Sequence, residues 1–120
     1  MKMLRVYQCE KCKKTIISKE ELALGAGWVE LVAGSTDAAQ EKHVPVAEKK
    51  CGRLRVSVGS VMHPATEAHY IEFVAVETKD GYQIKYFAPT DVPEVTFALK
   101  AGDEVVAVYA YCNLHGLWKA

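Results

Sequence analysis

Apolar and polar residues alternate along much of the chain after Val44. Leu54, Val56 and Val58 take turns with Arg53, Arg55 and Ser57, a two-residue period that turns one face of a strand to a core and the other to water. The runs YIEFVAVET, Tyr70 to Thr78, and EVVAVYAYC, Glu104 to Cys112, are rich in β-branched and aromatic side chains and read as strands as well. Lys79-Asp80-Gly81 joins the first of these to YQIKYF as a hairpin signal, and Gly102-Asp103 introduces the second. The pattern predicts about six or seven short strands. No helix-period segment of ten or more residues follows Thr36. Strands at this spacing predict an all-β fold, an immunoglobulin-like antiparallel β-sandwich.

The N-terminal stretch reads differently. A Lys-rich segment carries a C-x-x-C at Cys9 and Cys12, and the small-residue segment LALGAGWVELVAGS follows. This predicts a small N-terminal subregion over residues 1–35, ahead of a sandwich over 36–120. A short helix or turn is expected to begin near Ser35 and Thr36, where a hydroxyl can cap free amides ahead of DAAQEKH, and Pro45 bars its continuation.

Composition narrows the function classes. Of 120 residues, 50% are hydrophobic and 25% charged, which fits neither a disordered tail nor a fibre. Lys plus Arg number 15, as do Asp plus Glu. The chain therefore lacks the broad basic field that nucleic-acid or anionic-membrane binding needs, and neither partner is expected. No apolar run is long enough to span a membrane, and MKMLRVYQCEKCKK has no apolar signal core, so a cytoplasmic address is expected. Thiols stay reduced there, and Cys9, Cys12, Cys51 and Cys112 read as metal ligands or free thiols rather than disulfides.

The four histidines sit at element ends: His43 and His63 close before prolines, His69 at the start of a strand, His115 beyond the last one. Ends of sandwich strands gather at a rim, so these four imidazoles and Cys112, three residues before His115, are candidates to converge on one metal. Each alone has an ordinary reading, a surface histidine or a small buried cysteine. The joint pattern is what points to a metal.

The segments EKHVP (Glu41 to Pro45), VGSVMHPATEAHYIEF (Val58 to Phe73), PEVTFAL (Pro93 to Leu99) and YCNLHGLW (Tyr111 to Trp118) resemble, in order, the superoxide reductases, a family that includes neelaredoxins and the two-iron desulfoferrodoxins. The resemblance covers most of residues 36–120. It implies one mononuclear non-haem iron per chain, cycling between Fe2+ and Fe3+, with His43, His63, His69 and His115 in a plane and Cys112 as axial thiolate. A sixth position is left for superoxide, which takes one electron and leaves as hydrogen peroxide. It also implies that Glu41 caps the oxidised iron, that Lys42 draws in the anion, and that rubredoxin or a similar donor restores the electron. A homo-oligomer, dimer or tetramer, is expected. An anionic sulfur opposite the substrate pushes electron density through the iron, and amides of Asn113, Leu114 or His115 are placed to tune that push.

One part departs from the family. Two-iron members build a four-thiolate site from a C-x-x-C and an adjacent Cys-Cys pair, and around Leu24 and Gly25 no such pair exists. The N-terminal region reads as a degenerate desulforedoxin-like extension without an intact second iron centre. Cys9 and Cys12 then stand as a relic, a redox-active pair or a zinc ligand, with Cys51 or a second chain a weaker source of further thiolates. Trp28 and Trp118 read as packing anchors, Trp118 with the added capacity to shield the ligand loop. A cupredoxin-like copper carrier wants an axial Met after the last histidine, and LHGLWKA has none. A structural zinc module uses only four donors and leaves one over.

Overall fold

The computed structural model describes residues 3–35, 38, 40–61 and 63–120, with Glu41 described in its backbone alone. Contacts divide the chain into two units, Met1–Val32 and Ala33–Ala120. No helix among the described residues is long and apolar enough to cross a membrane.

The first unit is a three-stranded antiparallel sheet. Strands β1 (Arg5–Cys9), β2 (Thr15–Ser18) and β3 (Trp28–Leu31) lie in the order β2-β1-β3. The central strand buries Val6 and Tyr7, and the Tyr7 hydroxyl accepts the Leu22 amide at 2.9 Å, which ties down the long β2–β3 connection. Sequence reading offered no strands here, because TIIS and WVEL are half-exposed and four residues long, with no clean alternation.

The second unit starts with one helical turn, α1 (Gln40–His43), before β4 (Pro45–Lys50). The helix or turn expected to begin near Ser35 and Thr36 falls on a stretch in which residues 36, 37 and 39 lie outside the described residues; the helical turn described is Gln40–His43, ahead of Pro45. Strands β5 (Arg53–Val58), β6 (Ile71–Thr78), β7 (Tyr82–Tyr86), β8 (Glu94–Ala98), β9 (Val105–Cys112) and β10 (Gly116–Lys119) follow. They form a four-stranded sheet, β10-β9-β6-β7, and a three-stranded one, β4-β5-β8, antiparallel throughout. This is a four-plus-three sandwich of immunoglobulin type with its own strand order. The short strand β10 went unread because three of its four residues fall inside the YCNLHGLW segment.

The alternation seen in the sequence is the alternation of burial. Leu54, Val56 and Val58 of β5 point inward and meet Ile71, Val74 and Val76 of β6, Phe97 of β8, and Val108, Ala110 and Cys112 of β9. Each of the Leu, Ile, Val and Phe side chains among them contributes about 1.5–3 kcal/mol on leaving water. In β6 the pairing with β9 slips between Ile71 and Phe73, so Glu72 is the extra residue of a bulge. Without that extra residue Ile71 and Val74 would not share a face. On the opposite face Phe73 stacks on Tyr111 at 5.6 Å, and Tyr109 donates to the buried Glu77 carboxylate at 3.1 Å.

Two pairings place one rim. Pro45 at the start of β4 is opposite Val58 at the end of β5, and Ile71 at the start of β6 is opposite Cys112 at the end of β9. The amide of Gly59 donates to the Val44 carbonyl at 3.0 Å, which ties the segment after β5 to the segment after α1.

Candidate metal centre

Three connections converge on that rim. His43 closes α1, held where the Val44 amide donates to the Gln40 carbonyl at 2.9 Å. His63 and His69 lie on the β5–β6 connection. His69 sits in a small bridge with Thr66, whose amide donates to the His69 carbonyl at 3.0 Å while the His69 amide donates back to the Thr66 carbonyl at 3.1 Å. Cys112 ends β9 and His115 lies in the turn into β10. Gly116 takes the left-handed conformation, φ 81°, that a three-residue hairpin turn calls for.

The four imidazoles stand around a common centre. Ring centroids are 4.8 Å apart for His43 and His63, 4.6 Å for His63 and His69, 4.9 Å for His69 and His115, and 4.8 Å for His115 and His43. Neighbouring rings cross at 73° to 86°, while His43 and His69 face each other across the ring at 6.1 Å. His43 Nε2 and His115 Nδ1 are 3.0 Å apart, and Cys112 Sγ is 3.9 Å from His115 Nδ1. Ligand atoms of His43, His69, Cys112 and His115 all lie within 4.8 Å of one another. His63 falls outside that set of atoms, yet its ring touches those of His43 and His69. All five sequence-read donors are thus brought together.

This arrangement suits a divalent transition metal on its own chemistry. Two nitrogens at right angles on one metal, each about 2.1 Å from it, lie about 3.0 Å apart, which is the separation of His43 Nε2 and His115 Nδ1. His63 Nδ1 is 2.7 Å from the Pro64 carbonyl and so carries the proton, which leaves Nε2 with its lone pair. That Nε2 and His69 Nε2 are buried with no hydrogen-bond partner, a cost of about 1–3 kcal/mol each that a metal bond removes. Burial pushes the His63 pKa down to about 4, with the neighbouring histidines adding to it. His69 is lowered too, first by burial, then by His115, His43 and Lys42. Both shifts favour the neutral ring at His63 and His69, the form in which an imidazole ligates a metal.

Cys112 is fully buried, and burial pushes its thiol pKa up against the amides of His115 and Leu114, which hydrogen-bond toward the sulfur and pull it down. A metal cation held beside it would reverse the balance and favour the thiolate. Two further side chains hold the candidate donors in place: Trp118, which the sequence offered as a packing anchor by the ligand loop, and Asn113, which it offered only through its backbone amide. Trp118 stacks on His43 at 5.1 Å and 24° and donates its indole N–H to the His115 carbonyl at 3.1 Å. Asn113 bonds to the backbone on both sides of His69: Oδ1 accepts the Tyr70 amide and Nδ2 donates to the Ala68 carbonyl, each at 3.0 Å. The polar Asn between two candidate ligands was the available signal, but its partners lie more than forty residues away in sequence. Lys42 is exposed, and the Glu41 side chain lies outside the described residues.

Fold and site together define a β-sandwich with a rim cluster of four imidazoles and one thiol. The chain belongs to the desulfoferrodoxin family, whose sequence model matches residues 35–120. It is 42% identical to a desulfoferrodoxin of Nitratidesulfovibrio vulgaris over 125 aligned positions, covering 96% of this chain and 94% of that protein. Among solved structures, the superoxide reductase of Treponema pallidum superposes with a TM-score of 0.76 at 45% identity, over 82% of this chain and 83% of that one. That of Giardia intestinalis does so with a TM-score of 0.58 at 33% identity, over 67% and 95%.

Proposed function

We propose that the chain is a superoxide reductase, converting superoxide to hydrogen peroxide by one-electron reduction at a single mononuclear iron per chain. The observation that carries this reading is the ring of four imidazoles closed by the Cys112 thiol. His43, His63 and His69 would offer Nε2, His115 Nδ1 and Cys112 Sγ. When bound there, ferrous iron supplies the electron that superoxide takes.

The chain's own residues do the rest. Neutral imidazoles add no charge, so with one thiolate the loaded site keeps a net positive charge that favours an anion. Lys42, whose charge already reaches His69, adds a local field at the approach. Burial of Cys112 and the amides of Leu114 and His115 set how much charge the sulfur carries. Trp118 and Asn113 fix donor positions before any ion arrives. Glu41, beside Lys42 in sequence, is proposed as the carboxylate that fills the open position in the oxidised protein. The electron donor is proposed to be rubredoxin or a similar small carrier, the setting cytoplasmic and the assembly a dimer or tetramer. Residues 1–35 are proposed as a degenerate desulforedoxin-like extension.

Metal analysis of the native protein tests the metal, and rapid mixing with superoxide tests the reaction. The reading expects one iron per chain, an absorption band from thiolate to metal on oxidation, and one peroxide for each superoxide consumed by the reduced protein. Blue copper, colourless zinc, or half a peroxide per superoxide as in dismutation would sink it. Glu41→Ala should shift the absorption of the oxidised protein and leave the first encounter with superoxide unchanged.

A further inference from the structure

The C-x-x-C of the first unit takes no part in the site above, and its geometry is that of a prepared thiolate. Strand β1 ends at Cys9, and the chain reverses through a turn in which the Lys13 amide donates to the Cys9 carbonyl and the Cys9 amide to the Lys14 carbonyl, both at 2.9 Å. Lys13 takes the left-handed conformation, φ 64°, to close it. The next residue is anchored as well, the Glu10 amide donating to the Gly27 carbonyl at 2.8 Å. In this frame the Cys12 amide points at Cys9 Sγ from 3.3 Å. The Cys12 Sγ is only three bonds from that nitrogen, and the Cys12 side chain is among the groups that lower the Cys9 pKa. The two sulfurs are therefore neighbours.

Their surroundings favour exchange over metal storage. Residues 1–32 contain no other cysteine and no histidine, so this unit holds two of the four soft donors that a closed tetrahedral site takes. Cys9 is half-buried and Cys12 exposed, and Lys11, Lys13 and Lys14 flank them. Amides of Cys12, Lys11 and Lys13, with the Cys12 thiol, hold the Cys9 pKa below its ordinary value. A thiolate steadied by the amide of its own partner, with that partner open to solvent, has the elements of a redox dithiol.

We propose that Cys9 and Cys12 form a reversible dithiol–disulfide couple that trades electrons with an external disulfide. The Cys9 thiolate attacks one sulfur of that disulfide, forming a mixed S–S bond and expelling the other sulfur as thiolate. Cys12 gives its proton to water and attacks Cys9 Sγ, forming the Cys9–Cys12 bond and expelling the second thiolate. Two electrons pass from the pair to the external disulfide, which departs as two thiols, and the reverse sequence restores the pair. This proposal is independent of the superoxide reading.

The test uses the full chain carrying Cys51→Ser, which removes the exposed bystander thiol, equilibrated in mixtures of reduced and oxidised glutathione. Thiols are then alkylated without unfolding and weighed by mass spectrometry. The expected result is loss of both alkylation sites in one transition, the mass falling by two hydrogens with no glutathione retained. Adding Cys12→Ser should leave one glutathione on Cys9, and Cys12→Pro, which lacks the amide N–H, should slow Cys9 alkylation at neutral pH. Two thiols oxidising independently, or no glutathione retained by the Cys12→Ser chain, would overturn the proposal. So would protection of both thiols by added zinc at half an ion per chain, which would make the pair one half of a metal site shared between copies.

Discussion

Asn113 grips the peptide on either side of His69, accepting from the Tyr70 amide and donating to the Ala68 carbonyl, each at 3.0 Å. Because Asn113 itself lies between Cys112 and His115, one amide side chain sets three of the five donors against one another. Removing it should loosen the site before it loosens the fold. Asn113→Ala is expected to cost about 1–3 kcal/mol of stability and to weaken metal retention about 10- to 100-fold, as loss of a group supporting metal ligands does. Asn113→Asp keeps the acceptor and loses the donor, and should fall between. Chelator competition against thermal melting separates the two effects; equal retention in all three proteins would contradict the role.

Trp118 does two jobs that substitution can split. Trp118→Phe keeps a ring over His43 and loses the indole N–H to the His115 carbonyl, so it should cost about 1 kcal/mol. Trp118→Ala also empties a buried aromatic site and should cost about 3–5 kcal/mol. Denaturant midpoints measure both. If Phe proved as damaging as Ala, the hydrogen bond would outweigh the stack.

Lys42→Ala should retain metal yet slow the second-order reaction with superoxide. The remaining rate should depend less on ionic strength, since steering by an exposed charge is a screened, long-range effect. Pulse radiolysis across a salt series reads this directly. An unchanged rate removes Lys42 from the proposed mechanism.

Acid should destabilise the metal-free protein. His63 has an ordinary pKa of 6.5, lowered in the folded chain to about 4 by burial first and by its histidine neighbours. Between those values the unfolded chain holds a proton that the folded chain does not, so stability is highest above the upper one and falls as pH drops toward the lower. The loss from this one group is on the order of 3 kcal/mol once the ring is fully protonated in both states. Urea midpoints of chelator-treated protein between about pH 7 and about pH 5 should decline, and His63→Asn should flatten the slope. A midpoint that rises toward acid would contradict the burial of a neutral ring.

Much of the sandwich was legible because its strands are amphipathic in the simple sense. Leu54, Val56 and Val58 announce β5, and Lys79-Asp80-Gly81 announces the hairpin that follows β6. Strands β2, β3 and β10 are four residues each, too short for a period to show. Pro45 marked where the helical turn must stop, and the turn described ends at His43. The cluster of four imidazoles and Cys112 was legible as a set of candidates, since histidines at element ends stand out in a chain with only four. Trp118 was legible as a packing anchor by the ligand loop, but its bond to the His115 carbonyl and the grip of the Asn113 side chain were not, because they depend on groups brought near by folding: Asn113 reaches residues 43 and 45 positions away.

His43 Nε2 and His115 Nδ1 are 3.0 Å apart in space and 72 residues apart along the chain. Closing so long a loop is slow and comes only with the strand pairings on both sheets. An unfinished chain therefore has scattered imidazoles to offer a passing ion and nothing that grips it. Tight capture becomes a checkpoint on maturation, so a reactive metal is taken up only by molecules already able to control it.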